Sequence, residues 1–224
     1  MTSARKITAE AIGTMLLLAA VVGSGIMGER LSGGNAAIAL LANTVSTGAT
    51  LAAIILAFGG ISGAHFNPAV TLAAAWKGDL QWREVPGYLS AQLLGAFAGV
   101  AAAHTMFGEP LFEASQHSRT GGAQMFSEFI ATFGLLSVIW GCSRIRSEAV
   151  PFAVGAYIAG AYWFTASTSF ANPAVTLARS FTNTFSGIRP VDAPGFIAAQ
   201  LIGAVAAAAL WAWLMPPLPK AAKA

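Results

Sequence analysis

Apolar residues run along this chain in long unbroken stretches, unlike the two-residue alternation of a half-buried strand or the three-to-four spacing of an amphipathic helix. Residues 11–28, 31–64, 85–103, 129–143, 149–178 and 193–219 contain no Asp, Glu, Lys or Arg. A helix crossing a hydrocarbon layer roughly 30 Å thick needs about 20 such residues, so the pattern predicts six spanning helices. Two stretches, 31–64 and 149–178, are longer than one crossing uses. Arg5 and Lys6 ahead of an apolar run resemble the start of a signal peptide. Glu10 interrupts that run and further spans follow, which makes it the first helix.

The polar residues inside these stretches repeat. Ala9-Glu10-Ala11-Ile12-Gly13-Thr14 matches Ser127-Glu128-Phe129-Ile130-Ala131-Thr132. Asn67-Pro68-Ala69-Val70-Thr71-Leu72-Ala73 matches Asn172-Pro173-Ala174-Val175-Thr176-Leu177-Ala178, and Ala91-Gln92-Leu93-Leu94-Gly95 matches Ala199-Gln200-Leu201-Ile202-Gly203. The blocks keep one order, defining repeats at about residues 7–107 and 123–215 within a single domain, 1–224. Three spans per repeat is an odd number, so the second repeat enters the membrane inverted. Such folds place their working site at the midplane, between the halves.

The doubled Asn-Pro-Ala reads as a pair of helix breaks at membrane depth. Asparagine is a favoured N-cap, and proline at the first helical position gives up a donor that would be orphaned anyway. Asn67-Pro68-Ala69 and Asn172-Pro173-Ala174 therefore each open a short helix at the far end of an overlong apolar stretch. Non-helical backbone at membrane depth survives only where it is buried or lines a wet cavity, so these helices are expected to be half-spanning and re-entrant. Gly59, Gly60 and Gly63, and Ser167, Thr168 and Ser169, suit the non-helical approaches. With the halves inverted, the two helix N-termini face each other near the membrane centre, each carrying about half a positive charge. A capping asparagine uses its oxygen on its own helix and leaves its NH2 for a passing molecule. A water chain must reorient there, which opposes proton relay, and the facing dipoles repel cations.

Composition narrows the partners. The chain is 56% hydrophobic and 9% charged, against roughly 25% charged in an ordinary soluble domain, so most of its surface faces a lipid bilayer. Placing loops alternately on the two sides puts Arg5, Lys6, Lys77, Arg83, Arg144, Arg146, Lys220 and Lys223 together, with Arg30, Arg119, Arg179 and Arg189 opposite. The excess predicts both termini on the cytoplasmic face of a cell (inner) membrane. No basic stripe interleaved with aromatics points to nucleic acid. Cys142 is the sole cysteine and has no disulfide partner. No grouping of His, Cys, Asp and Glu has metal-ligand spacing, and no Ser, His and carboxylate set suggests a nucleophile. Neither a metal, a cofactor nor an enzymatic activity is expected.

Through the paired Asn-Pro-Ala motifs, Ser62-Gly63-Ala64-His65-Phe66-Asn67, the paired Glu10 and Glu128, and the paired Gln92 and Gln200, the chain resembles the aquaporin and glycerol-facilitator family, the major intrinsic proteins. The resemblance covers essentially the full length. It implies an all-α membrane fold of six tilted helices and two re-entrant half-helices, assembled as a homotetramer with one pore per subunit. It also implies that Glu10 and Glu128 accept hydrogen bonds from the re-entrant loops; a proton relay through them is the rival reading. His65, whose ordinary pKa of about 6.5 suits a gate or pH sensor, is read as lining or bracing the cytoplasmic half-pore. His104 and His117, at or beyond a helix end, are expected to be solvated.

Members of that family narrow outside the centre at four positions, the last usually an arginine directly after the second Asn-Pro-Ala. Here that residue is Val175. Counting back from the asparagines without gaps places the others at Thr47, Gly160 and Ser169. Such a filter is wide and uncharged, with two hydroxyls and one apolar face. It suits neutral solutes larger than water: glycerol, urea, and the trihydroxides arsenite and antimonite. Arg179, four residues after Val175, either supplies the missing charge, snorkels to the outer headgroups or braces a loop.

Small residues at Ala91, Gly95, Gly99 and Ala103, and at Ala199, Gly203 and Ala207, permit close helix approach. Trp76, Trp82, Trp211 and Trp213 lie near span ends as interfacial anchors. A secondary transporter would share the inverted repeat and a junctional membrane protein would explain neither motif nor filter; among channels, a strict water pore is the runner-up. Val175→Arg should suppress the flux of larger solutes more than that of water in vesicle stopped-flow assays. Equal loss of both would place Val175 away from the constriction.

Overall fold

The computed structural model describes residues 1–215, which form eight α-helices and no strand. These are α1 (Ser3–Leu31), α2 (Ala36–Ser62), α3 (Pro68–Lys77), α4 (Val85–Phe107), α5 (Gly122–Ile145), α6 (Val150–Phe164), α7 (Pro173–Arg179) and α8 (Ala193–Leu214). Among the described residues α1, α2, α4 with the 3-10 turn before it, α5 and α8 are long and apolar enough to cross a membrane unaided. α6 has 15 residues, a rise of about 22 Å, and the 3-10 turn Ser147–Ala149 extends it. The end of the last apolar stretch, 216–219, and the basic residues Lys220 and Lys223 lie outside the described residues.

α1–α4 and α5–α8 present the same order, two long helices, a short one and a long one. α1 packs along α4 and α2, α5 along α8 and α6, and α2 meets α6 to join the halves. Glycine makes the closest crossings possible. A Cβ on Gly95 would stand 2.3 Å from the Ala11 carbonyl oxygen, one on Gly99 2.3 Å from that of Met15, and one on Gly203 2.5 Å from that of Phe129. Backbone touches backbone there, so the small-residue stripes are helix-packing surfaces. Trp76, Trp82 and Trp213 are exposed at helix ends, while Trp211 is half-buried.

Polar contacts tie the helix ends together at each face. Lys6 Nζ lies 3.0 Å from Glu84 Oε1, and Arg144 Nη1 donates to the Met215 carbonyl at 2.7 Å. The first joins the starts of α1 and α4, and the second the ends of α5 and α8. At the opposite face Arg30 bridges Glu109 at 2.7 Å and the Phe107 carbonyl at 2.9 Å.

Two details depart from the sequence reading. α2 continues through Ser62, so Gly59 and Gly60 are helical, and the chain turns only at the C-cap Gly63 (φ 89°). Nothing forces an earlier break, because glycine costs a helix about 1 kcal/mol and does not end it. His104 is also buried, with Nε2 2.7 Å from Thr182 Oγ1 and Nδ1 2.6 Å from the Pro110 carbonyl. The segments 108–121 and 180–192 fold inward over the end of α4, bonded to one another by Ser115 N to Ser180 O at 3.0 Å and Arg189 N to His117 O at 2.8 Å. His117, by contrast, is exposed.

Gly95→Val should lower the thermal unfolding midpoint in detergent, by an overpacking cost of about 1–3 kcal/mol or more. Gly60→Ala, whose added Cβ meets nothing within 4 Å outside its own helix, should raise the midpoint slightly in the same measurement, because alanine is favoured over glycine in a helix by about 1 kcal/mol.

Candidate functional site

Each short helix starts where its sequence requires. Asn67 is extended (φ −156°), Pro68 takes the first helical position, and Asn67 Oδ1 accepts from Ala69 N at 2.9 Å. Asn172 caps α7 likewise, accepting from Ala174 N at 3.0 Å and Val175 N at 3.3 Å. The amide nitrogens do more than wait for a solute. Asn67 Nδ2 donates to the Ala171 carbonyl at 2.8 Å and Asn172 Nδ2 to the Phe66 carbonyl at 2.7 Å. One N–H of each amide is therefore spent across the seam between the halves, and one of each remains. The sequence reading left both free because the approaching limb of the other half was not visible in it.

Those limbs are strained and held. Ala64 and Phe66 in the first, and Thr168, Ser169 and Ala171 in the second, have φ between 49° and 61°. Left-handed backbone costs a residue with a Cβ about 1–2 kcal/mol. Glu10 accepts from Ser62 Oγ (2.6 Å), His65 N (2.9 Å), Phe66 N (2.7 Å) and Gln92 Nε2 (2.8 Å). Glu128 accepts from Phe170 N (2.8 Å), Ala171 N (2.8 Å) and Gln200 Nε2 (2.6 Å). Every one of these partners is a donor, so both carboxylates act as acceptors here. Gln92 and Gln200 also reach Thr71 Oγ1 and Thr176 Oγ1, both at 2.8 Å, tying α4 to α3 and α8 to α7.

Between these supports runs a cavity of about 240 Å³. Lys77, Asp79 and Ser143 line its mouth on the side of the N-terminus, and Leu17, Val21, Leu51 and Ile158 supply apolar wall. Asn67 and Asn172 also line it. His65 is both lining and brace, with Nδ1 3.1 Å from Thr71 Oγ1 and its ring centroid 5.3 Å from that of Tyr88.

Thr47, Ser169, Val175 and Arg179 line the same cavity. Gly160 does not: it sits on the exposed face of α6. The residues of α6 that face inward are Val154, Ile158 and Tyr162, one every four positions. Gly160 lies two residues from that row, about 200° around the helix, so the ungapped count placed the filter position on the wrong face. Tyr162 fills the place, its hydroxyl donating to Thr47 Oγ1 at 3.4 Å. The outer wall is consequently narrower and more aromatic than two small residues would make it.

Arg179 is only 2% exposed, which overturns the snorkelling alternative. α7 ends at this residue and the following segment closes over it, so the side chain turns inward. Its Nε donates to the Ser186 carbonyl and its guanidinium carbon lies 3.4 Å from the Phe170 ring centroid. Arg179 thus braces the loop and also faces the cavity. The Ser169 hydroxyl is buried without a protein partner among the described residues. Sequence reasoning missed Tyr162, Phe170, Ser186 and Arg119. Thr71 and Thr176 lay in the repeated block, a signal that marked them; the missed four have no such mark.

Two half-helices capped by asparagine, stitched at their N-termini and enclosed by long helices around one cavity define a membrane channel. The chain matches the family described as Major intrinsic protein over residues 1–159 and 141–224. It is 57% identical over 213 residues to aquaglyceroporin AqpS of Rhizobium meliloti (strain 1021), covering 95% of this chain and 91% of that one. With aquaporin NIP1-3 of Oryza sativa subsp. japonica it shares 33% identity over 218 residues, 94% of this chain and 73% of that one. Its fold is similar to the X-ray structure of the aquaglyceroporin from Plasmodium falciparum, with TM-score 0.75 and 22% identity over 96% and 98% of the two chains. The chain belongs to the major intrinsic protein family. It is a multi-pass membrane channel for small solutes and water, and not an enzyme.

Glu128→Gln would set its NH2 either against the Phe170 N–H or against the Ala171 N–H and the Gln200 amide, and should cost about 1–3 kcal/mol. The thermal midpoint in detergent and the water permeability of vesicles should fall together. A variant that kept its stability but lost a proton flux would make Glu128 a relay.

Proposed function

We propose that this channel passes small neutral hydroxylated solutes together with water, and that its outer wall selects them. The solutes are glycerol, urea and the compact trihydroxides arsenite and antimonite. The observation that carries this reading is the Ser169 hydroxyl, buried in the wall with no protein partner among the described residues and sharing that wall with Val175 and the hydroxyls of Thr47 and Tyr162. A buried polar group without a partner is costly, and a passing hydroxyl satisfies it. A polyol, polar along one edge and apolar along the other, finds both surfaces here. Tyr162 restores the aromatic surface, and Arg179 restores, one turn beyond Val175, the fixed positive charge. Cation exclusion then rests on that charge as well as on the facing helix dipoles. The similarity to a protein named an aquaglyceroporin, at 57% identity, supports the polyol class.

We propose further a homotetramer with one pore per subunit, in an inner membrane with both termini cytoplasmic. Arg5, Lys6, Lys77, Arg83, Arg144 and Arg146 fall on the N-terminal side, and Arg30, Arg119, Arg179 and Arg189 on the other.

In proteoliposomes, glycerol should enter by stopped-flow light scattering well above the rate in empty vesicles, without saturation. Water flux with glycerol excluded would favour a strict water pore. Arsenite entry no faster than into empty vesicles would remove the metalloid hydroxides from the substrate class.

A further inference from the structure

Arg119 lies in the loop between α4 and α5, outside both Asn-Pro-Ala segments and outside the cavity wall. Its side chain nevertheless reaches two separate stretches that do form the outer wall. Nη1 donates to the Ser167 carbonyl at 3.2 Å and to Thr168 Oγ1 at 3.4 Å, on the limb that carries Ser169 and Phe170. Nε donates to the Gly187 carbonyl at 2.8 Å and Nη2 to the Phe185 carbonyl at 3.5 Å. Between those two carbonyls lies Ser186, whose own carbonyl accepts from Arg179. The guanidinium carbon of Arg119 is 5.1 Å from the centroid of Phe170, the ring on which Arg179 stacks.

The stem of this clamp is fixed too. Arg119 N donates to Asp192 Oδ2 at 2.9 Å, and Asp192 is held by Arg189 through Nε at 3.0 Å and Nη2 at 3.2 Å. Ser186 is tied inward as well, its hydroxyl donating to the Val21 carbonyl at 3.0 Å, where α1 lines the cavity. A fork of guanidinium donors is the side chain that bonds several carbonyls in one plane; lysine offers a single point charge.

We infer that Arg119 is a positioning residue that sets the size cut-off of the channel, acting through Ser169 on one side and Arg179 on the other. The inference rests on the reading of the outer wall as the filter. Removing the fork frees the left-handed pair Thr168 and Ser169 and the support of Arg179 together. The central seam, held by Glu10, Glu128 and the two asparagines, has no contact with Arg119 among the bonds described above. Selectivity should therefore change while water conduction persists.

The test measures water, glycerol and erythritol permeabilities in proteoliposomes for the wild type, Arg119→Ala, Arg119→Lys and Val175→Trp. Arg119→Ala should raise the erythritol-to-water ratio about tenfold, the weight of one lost charge-assisted hydrogen bond. Arg119→Lys keeps the charge and stem and should give an intermediate ratio, which keeps the test decisive if the alanine variant fails to fold. Ratios unchanged in the Arg119 variants while Val175→Trp shifts them would overturn the role of Arg119 and leave the filter reading standing. Ratios unchanged in all three would overturn both. A parallel fall of all permeabilities in Arg119→Lys would reduce Arg119 to fold maintenance and would also overturn the inference.

Discussion

A backbone N–H that leaves its helix at membrane depth finds no water to bond, and in this protein Glu10 and Glu128 meet that need. Their position fixes everything around them. Each carboxylate draws two successive amides of a descending limb toward a long helix, α1 or α5, and a glutamine from α4 or α8 closes the other side. The limb is thereby turned so that its carbonyls and the capping asparagine point at the opposite half. Left-handed residues that would be unfavourable elsewhere are held in place by those bonds. The glycine contacts between α1 and α4, and between α5 and α8, bring the carboxylates within reach in the first place.

From this shared frame the halves diverge. The first limb is short and leans on its own half, with Tyr88 donating to the Ser62 carbonyl at 2.8 Å and His65 bonded to Thr71. The second limb begins earlier, at Thr165, because α6 is the shortest of the long helices. Its extra length is governed from outside, by Arg119 and by the segment that follows α7. The pore accordingly has a plain inner mouth, where Lys77 pairs with Asp79 at 3.3 Å, and an outer mouth built from three different stretches of chain. The two halves match at the central seam and differ at the outer wall.

The fold was largely legible because lipid imposes long apolar runs and because the repeat prints each supporting residue twice. Glu10 with Glu128, Gln92 with Gln200 and Asn67 with Asn172 could be paired before any coordinates, and the structure gives each pair matching partners. The outer wall was less legible because its residues are single. Counting found Thr47, Ser169 and Val175, which precede or follow the asparagine by fixed backbone, or lie on a regular helix. It failed at Gly160, where the turn between α6 and the limb decides which face looks inward. Arg119 lay beyond any count, since its contacts depend on how one loop lies across another. Gly59 and Gly60 misled for a different reason: glycine permits a break without requiring one.

The two asparagine bonds across the seam also bear on how the chain is assembled. Asn67 needs a carbonyl from residue 171, and the carbonyl of Phe66 takes its donor from residue 172, more than a hundred positions later in the chain. The bonds that complete the first re-entrant segment therefore form only once the second Asn-Pro-Ala segment has been made. During synthesis α1 to α4 hold a loop whose end is open, and only the arrival of the second copy closes it. Duplication here does more than double a structure: each copy supplies a hydrogen-bond partner that the other lacks within itself.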